Sequence, residues 1–346
     1  MNTRDFDYPL PPDLIAQHPA ARREGARMLV LHRRDRRWEH RLFAELPDFL
    51  RSGDLLVLNN TRVIRARLFG KKPGTGGRAE LFLLEEREPF VWQILLRCRR
   101  RPAPGGSLDL DGGGRAEILS YGEQGEALVR FHISVPVLDF AGAHGHIPLP
   151  PYIKRPTDAE DEPEDLERYQ TVFARTDGSV AAPTAGLHFA PSMFERLAAQ
   201  GVERAEVTLH VGLGTFRPVS VERIEEHTMH DERYEVSPTA AAAIARAKSE
   251  QRRVVAVGTT TVRTLEAVAA RHGAVVADQG RTNIFIYPPY TFRAVDALLT
   301  NFHLPQSTLL MMVSALAGRE FVLDAYAEAV RERYRFFSYG DCMLIV

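Results

Sequence analysis

Five of the twelve histidines stand where turns meet strand-like runs. His188 closes AAPTAGLHF, His210 sits in VTLHVGLGTF, His227 and His230 share EEHTMHD, and His303 lies in NFHLP. Imidazole titrates near neutrality, so these are the candidate acid/base groups. The segment Val254–Glu266 (VVAVGTTTVRTLE) reads as strand, tight turn and helix. Its Gly258 permits the turn, and the free N–H groups at the helix start, with Thr259 and Thr260, suit a carboxylate or phosphate. The same pattern also describes a plain threonine-capped helix. It is neither a P-loop nor a dinucleotide-binding glycine fingerprint.

Small residues around His210 (Gly212, Gly214, Thr215) would let a flat ligand approach backbone, although a bending strand needs glycine too. His227 and His230 are spaced i, i+3 beside carboxylates. Zinc-protease helices use i, i+4, so acid/base work or substrate hydrogen bonding is favoured over a metal. Thr184, Gly186, Phe189 and Asn301 occupy glycine- and aromatic-rich turns suited to stacking a base, or to ordinary packing. Between Arg62 and Arg101, eleven Lys/Arg face four Glu. Arg97, Arg99, Arg100 and Arg101, with Lys71 and Lys72, could hold a phosphate backbone or form a solvated charged face.

The elements that must position these groups follow from hydropathy and punctuation. A chain of 346 residues suggests two domains. Two cysteines, Cys98 and Cys342, provide neither a disulfide framework nor a zinc knuckle, and point to a reducing cytoplasm. The N-terminal stretch lacks an apolar core, so no signal peptide is expected, and the longest apolar run, Leu309–Val313, is too short for a membrane span. The net charge of −1 leaves any RNA affinity to local basic patches.

Residues 5–58 read as an α/β opening, with strands at 28–31 and 54–58 and a short helix at 43–50. After Asn59-Asn60 the texture changes. Short runs at 64–69, 79–84, 91–96, 115–119 and 127–133, separated by glycines, predict a small β-barrel. The stretch 156–167 holds seven acidic residues and no basic ones, and is expected to be a surface loop. From Tyr169 the α/β pattern returns, with strands at 204–210, 254–257 and 282–287 and helices at 191–200, 238–250 and 321–334. The expected fold class is therefore α/β, with residues 1–60 plus 148–346 as the catalytic domain and 61–147 as an inserted β-barrel domain.

Ten segments, in order, resemble one family. They are DLLVLNNTRVIRARLFG, PLPPYIKR, ERYQTVFA, GSVAAPTAGLHF, VTLHVGLGTFRPV, EEHTMHDERYEV, VVAVGTTTVRTLEA, TNIFIYPPY, DALLTNFHLPQSTLLMMVSALAG and YRFFSYGD. Together they resemble the S-adenosylmethionine:tRNA ribosyltransferase-isomerase family of queuosine biosynthesis. The resemblance implies a larger α/β domain of barrel-like character carrying the inserted barrel. It implies transfer and isomerisation of the ribosyl moiety of S-adenosylmethionine onto 7-aminomethyl-7-deazaguanine at the wobble position of a tRNA with a GUN anticodon. The products are epoxyqueuosine-tRNA, adenine and methionine. No metal or redox cofactor is implied, and a cytoplasmic monomer with no membrane partner is expected.

That chemistry requires a proton to leave the carbon beside the sulfonium, adenine to depart with protonation, the amine to attack, and an alkoxide to displace methionine. His188, His210, His227, His230 and His303 are the candidate acids and bases. The donor is expected against Thr184, Gly186, Phe189, Gly212, Gly214, Thr215, Gly258, Thr259, Thr260, Arg263, Asn301, Tyr339 and Asp341. Arg263 would clamp its carboxylate, Phe216 is a further stacking candidate, and Glu226 or Asp341 would face the sulfonium. The RNA is expected on Arg62, Arg65, Lys71, Lys72, Arg97, Arg99, Arg100, Arg101, Lys154 and Arg155. Two rivals stand beside this reading. Against an RNA methyltransferase using the same donor, the chain carries no glycine-rich loop after a first strand followed by an acidic residue at ribose-binding distance. A non-catalytic RNA-binding protein leaves the His- and Gly-rich turns unexplained.

Overall fold

The structure, a computed structural model, describes residues 1–156, 160–212 and 219–346. Strands β1 (Arg27–His32) and β2 (Arg37–Leu42) form an antiparallel hairpin. Strand β3 (Leu55–Asn59) is buried at every residue, which explains its unbroken apolar run. It is followed by the short β4 (Thr61–Val63). The chain then builds a closed antiparallel barrel from β5 (Arg67–Lys71), β6 (Arg78–Glu88), β7 (Val91–Cys98), β8 (Ser107–Leu110), β9 (Arg115–Tyr121) and β10 (Glu126–His132). Its interior takes alternate residues, such as Leu81 and Leu83 of β6 and Ile94 and Leu96 of β7. Strand β8, which closes it, had no readable signal in the glycine-rich sequence.

Helix α1 (Val137–His144) leaves the barrel, and α2 (Pro163–Arg168) follows. The helix α2 corrects the expected loop over this acidic stretch. Pro163 starts it, and its buried Asp165 accepts from Arg155 and from the Tyr339 hydroxyl, so the helix is tied to two separate segments. Strand β11 (Thr176–Ser179) pairs with β4 in parallel. Then come α3 (Pro191–Ala199), β12 (Glu203–Leu209), β13 (Glu232–Val236), α4 (Pro238–Ser249), β14 (Val254–Val257), α5 (Thr259–His272), β15 (Asp278–Thr282), β16 (Ala297–Asn301), α6 (Thr308–Ala317), α7 (Arg319–Arg331) and β17 (Cys342–Ile345).

Nine strands form a mixed sheet in the order β15-β13-β12-β3-β14-β16-β17-β1-β2. The architecture is thus α/β with an inserted barrel. Closure belongs to the smaller unit, and among the described residues the larger sheet ends in two edge strands, β15 and β2. Alternate β3 side chains serve two cores. Leu55 and Val57 belong to the core shared with α4, α5 and α7, whereas Leu56 and Leu58 belong to the core shared with α3 and Phe43. A strand expected over 282–287 instead occupies Asp278–Thr282. This polar stretch is tolerated as an edge paired with β13, while Ile286 turns inward ahead of Pro288-Pro289, where two ladder donors are missing. Among the described residues no helix is long and apolar enough to cross a membrane.

Candidate active site

Strands β12, β3, β14 and β16 run parallel, so their carboxyl ends share one edge of the sheet. In open α/β sheets that edge is where ligands bind. Asn59, at the end of β3, fixes this edge. Its Nδ2 donates to Leu209 O (3.0 Å) and Thr260 Oγ1 (3.1 Å), and its Oδ1 accepts from Leu209 N (3.0 Å) and Thr61 N (3.2 Å). One buried amide thereby joins two strand ends to the start of α5. Gly258 precedes that helix with φ +85°, a conformation that other residues adopt only with strain.

A largely apolar pocket opens here. It is lined by Ala181–Ala185, Gly258–Thr260, Thr300–Leu304, Phe337, Ser338, Tyr152 and Val211. Three separated segments thus bring Thr184, Gly258, Thr259, Thr260, Asn301 and His303 to one cavity. The His303 Nε2 lies 2.9 Å from Thr300 Oγ1, and its carbonyl accepts from the Tyr8 hydroxyl. Burial pushes this imidazole down to about 3. Behind the pocket wall, Asn301 Nδ2 donates to His188 Nε2 (3.3 Å) and to Phe337 O (3.2 Å). His188 is likewise pushed down to about 3, by burial first and then by the charges of Arg335, Arg168 and Arg23. Both rings are therefore neutral at pH 7, able to accept or share a proton but not poised as imidazolium acids.

Val211 also lines a second, polar pocket between the sheet and the barrel, with His210, Gly212, His230, Asp231, Glu232, Arg233 and Arg281 on one side and Glu85, Arg87 and Glu126 on the other. His210 is half-buried, its Nδ1 2.9 Å from Thr61 Oγ1, and burial followed by the nearby Arg233 charge pushes it down to about 4. A Cβ on Gly178 would come 2.9 Å from this ring, so only glycine allows the approach. Glu232 is buried; one oxygen pairs with Arg263, and the other accepts the Gly212 N–H at 3.1 Å.

Other expected residues lie elsewhere. Arg263 is buried beneath the two pockets and bound to Glu232, not open as a carboxylate clamp. Phe189 is fully buried, stacked on Phe194 and edge-on to Phe43, within the core. Gly186 is required by packing, since a Cβ would meet Phe173 at 2.7 Å. Tyr339 donates to Asp165, and Asp341 accepts the Arg27 and Arg335 N–H groups, so both brace the C-terminal segment. His227 packs against Phe285, and burial followed by the His230 charge lowers its pKa. Glu226 is exposed. Gly214, Thr215 and Phe216 lie outside the described residues.

On the barrel, Arg97, Arg99, Arg100 and Arg101 are exposed around the end of β7. Lys72 Nζ donates to the carbonyls of Arg99 (2.8 Å) and Arg100 (3.1 Å), so it shapes the arginine turn. Lys71 and Lys154 are exposed, and Arg65 is half-buried. Arg62 donates to Ala174 O, and Arg155 is held by Asp165 and Glu162. A groove between the barrel and residues 148–156 is lined by Arg67, Arg97, Arg101 and Arg155.

Comparison with known proteins places this geometry. The model of a family described as "Queuosine biosynthesis protein" matches residues 3–345. The chain belongs to the queuosine biosynthesis family. Relatives named S-adenosylmethionine:tRNA ribosyltransferase-isomerase include those of Desulfitobacterium hafniense (51% identical over 347 residues) and Thermotoga maritima (50% over 346 residues), with all of both chains covered in each case. The crystal structure of S-adenosylmethionine tRNA ribosyltransferase from Thermotoga maritima is similar, with a TM-score of 0.57, 41% identity, and 99% of this chain and 100% of that one covered.

In this member of the queuosine biosynthesis family, several site residues escaped the reading of the sequence. Asn59, Thr61, Gly178, Glu232 and Thr300 were not singled out. Asn59 and Thr61 carried a usable signal, because polar residues at the carboxyl end of a buried parallel strand lie at the binding edge. Glu232 and Gly178 carried none, since their partners are remote in sequence.

Proposed function

We propose that the chain transfers and isomerises the ribosyl moiety of S-adenosylmethionine onto 7-aminomethyl-7-deazaguanine at the wobble position of a GUN-anticodon tRNA. Epoxyqueuosine-tRNA, adenine and methionine are the products. The observation that carries this reading is the convergence of six distant motif segments on one apolar pocket, joined through Val211 to a polar pocket rich in acid/base groups. The names of the near-full-length relatives support it.

In this reading the apolar pocket takes the adenosyl portion of the donor. Thr259 and Thr260, at the N-terminus of α5, and Asn301 supply the polar contacts that orient it. The polar pocket takes the amine-bearing base. His210, held by Thr61, accepts the proton released beside the sulfonium, while His303 and Thr300 hydrogen-bond the departing adenine. The reaction balances without a redox partner: a C–H proton goes to base, the C–N bond to adenine breaks and adenine takes up a proton, the ring C–O bond opens and a C–C bond closes the carbocycle, the amine loses a proton as its C–N bond forms, and an alkoxide expels methionine sulfur. The donor is consumed, and neither a metal nor a further cofactor is called for. Arg97, Arg99, Arg100, Arg101 and Lys154 contact RNA phosphates. The protein works as a cytoplasmic monomer.

Adenine release, followed by chromatography, is the test. Adenine and methionine formed only with tRNA carrying the deazaguanine amine are the expected result. Methyl label should stay with methionine; its appearance in RNA would establish a methyltransferase instead. RNA binding with no adenine release would leave a binding protein.

A further inference from the structure

We infer that Arg23, Arg168 and Arg335 form a cradle for a backbone phosphodiester of the RNA, beside the donor pocket and apart from the basic strip of the barrel. The inference rests on the proposed RNA substrate. Arg23 is fixed by two main-chain carbonyls, with Nη1 donating to Leu187 (3.1 Å) and Nη2 to Glu167 (2.9 Å). The next residues along the chain are His188 and Arg168, so one guanidinium clamps the wall of the pocket to the end of α2. Neither Arg23 nor Arg168 forms an ion pair among the described residues, and the Arg168 Nε is enclosed without a hydrogen-bond partner. Arg335 is 3.6 Å from Asp341, whose two oxygens already accept main-chain N–H groups.

Three of the neighbouring carboxylates are committed elsewhere. Asp165 serves Arg155 and Tyr339, Glu162 pairs with Arg155, and Glu164 lies 3.7 Å from His18. Glu167 is exposed and holds Arg23 through its carbonyl. Positive charge therefore accumulates: burial first and then the Arg168 charge hold Arg23 below the usual range, against the opposing Glu167 charge, and all three arginines act on His188. Guanidinium forks match a phosphate oxygen pair, and a bound anion would relieve this repulsion.

Continuity favours a polyanion. Gln17 accepts from Lys154 N (2.9 Å), and Arg335 Nη1 donates to His18 O (3.4 Å), so Lys154, Arg335, Arg168 and Arg23 form one strip. The strip ends at His188, which Asn301 connects to the donor pocket. A phosphate held there would anchor the strand close to the reacting base.

The test uses Arg168→Gln in the full chain, since Arg168 makes no side-chain hydrogen bond among the described residues and its removal spares the fold. Direct tRNA binding is measured across a salt series. The expected result is about a three- to tenfold weaker affinity and a log–log salt slope reduced by roughly 0.7–0.9 unit, with the KM for S-adenosylmethionine unchanged. Arg168→Lys should keep the slope and lose less affinity. Unchanged RNA affinity and slope in Arg168→Gln would overturn the inference. So would an unchanged slope with a raised KM for S-adenosylmethionine, which would assign the cradle to the donor carboxylate. Because binding is read directly, these outcomes are separate from the absence of adenine release by the unaltered protein, which would sink the ribosyl-transfer reading alone.

Discussion

Thr61 Oγ1 and His210 Nδ1 lie 2.9 Å apart, which ties the first residue of β4 to the imidazole just after β12. This contact occupies one ring nitrogen and so sets which nitrogen is presented to the polar pocket. Thr61→Val should therefore lower kcat for adenine release by between about tenfold and hundredfold, whereas Thr61→Ser should retain most of it. Single-turnover kinetics of the two variants decide this. Equal rates would remove His210 orientation from the mechanism.

The two deeply buried histidines make stability depend on pH. His188 and His303 are pushed from 6.5 down to about 3, so the unfolded chain binds more protons than the folded one between these values. Stability should thus fall as pH drops below about 6.5, by about 1.4 kcal/mol per unit from each ring at most. Carboxylates titrate in the same range, so the measurement is a difference. His303→Asn should show a shallower loss of denaturant midpoint between pH 6 and pH 4, in roughly that proportion.

Asn59 makes four hydrogen bonds in a site closed to water. Asn59→Ala would strand two main-chain N–H groups and a carbonyl. A loss of roughly 3 kcal/mol is expected from urea unfolding. A loss below about 1 kcal/mol would mean that the strand ends are fixed by other contacts.

The Arg263–Glu232 pair is buried, with Glu232 at the edge of the polar pocket. Breaking it should cost more than removing it. Glu232→Gln or Arg263→Met alone should destabilise by about 3–5 kcal/mol, and the double replacement by clearly less than the sum. An additive double-mutant cycle would show that the two charges are independent.

For the barrel strip, the combined replacement of Arg97, Arg99, Arg100 and Arg101 by Ala should reduce the salt slope of tRNA binding by up to about three units. An unchanged slope would place the RNA footprint elsewhere.

The sequence by itself determined the elements and much of the apolar pocket. Apolar runs such as Leu55–Leu58 and Val254–Val257 read as strands buried on both faces, and Gly258 followed by threonines reads as a tight turn into a helix, as the structure has them. Thr184, Gly258, Thr259, Thr260, Asn301 and His303 were found because turn chemistry and small residues mark strand ends locally. Tertiary structure decided which of these groups are free to act. Arg263 looked like an open clamp until Glu232, thirty-one positions earlier in the chain, claimed it. Phe189 looked like a stacking platform until Phe43 and Phe194 closed over it. Asp341 and Tyr339 looked like substrate contacts until main-chain N–H groups and Asp165 satisfied them. A side chain's chemistry is written in its type, but its availability depends on partners brought together by folding. Those long-range pairings leave no periodic trace in a single sequence.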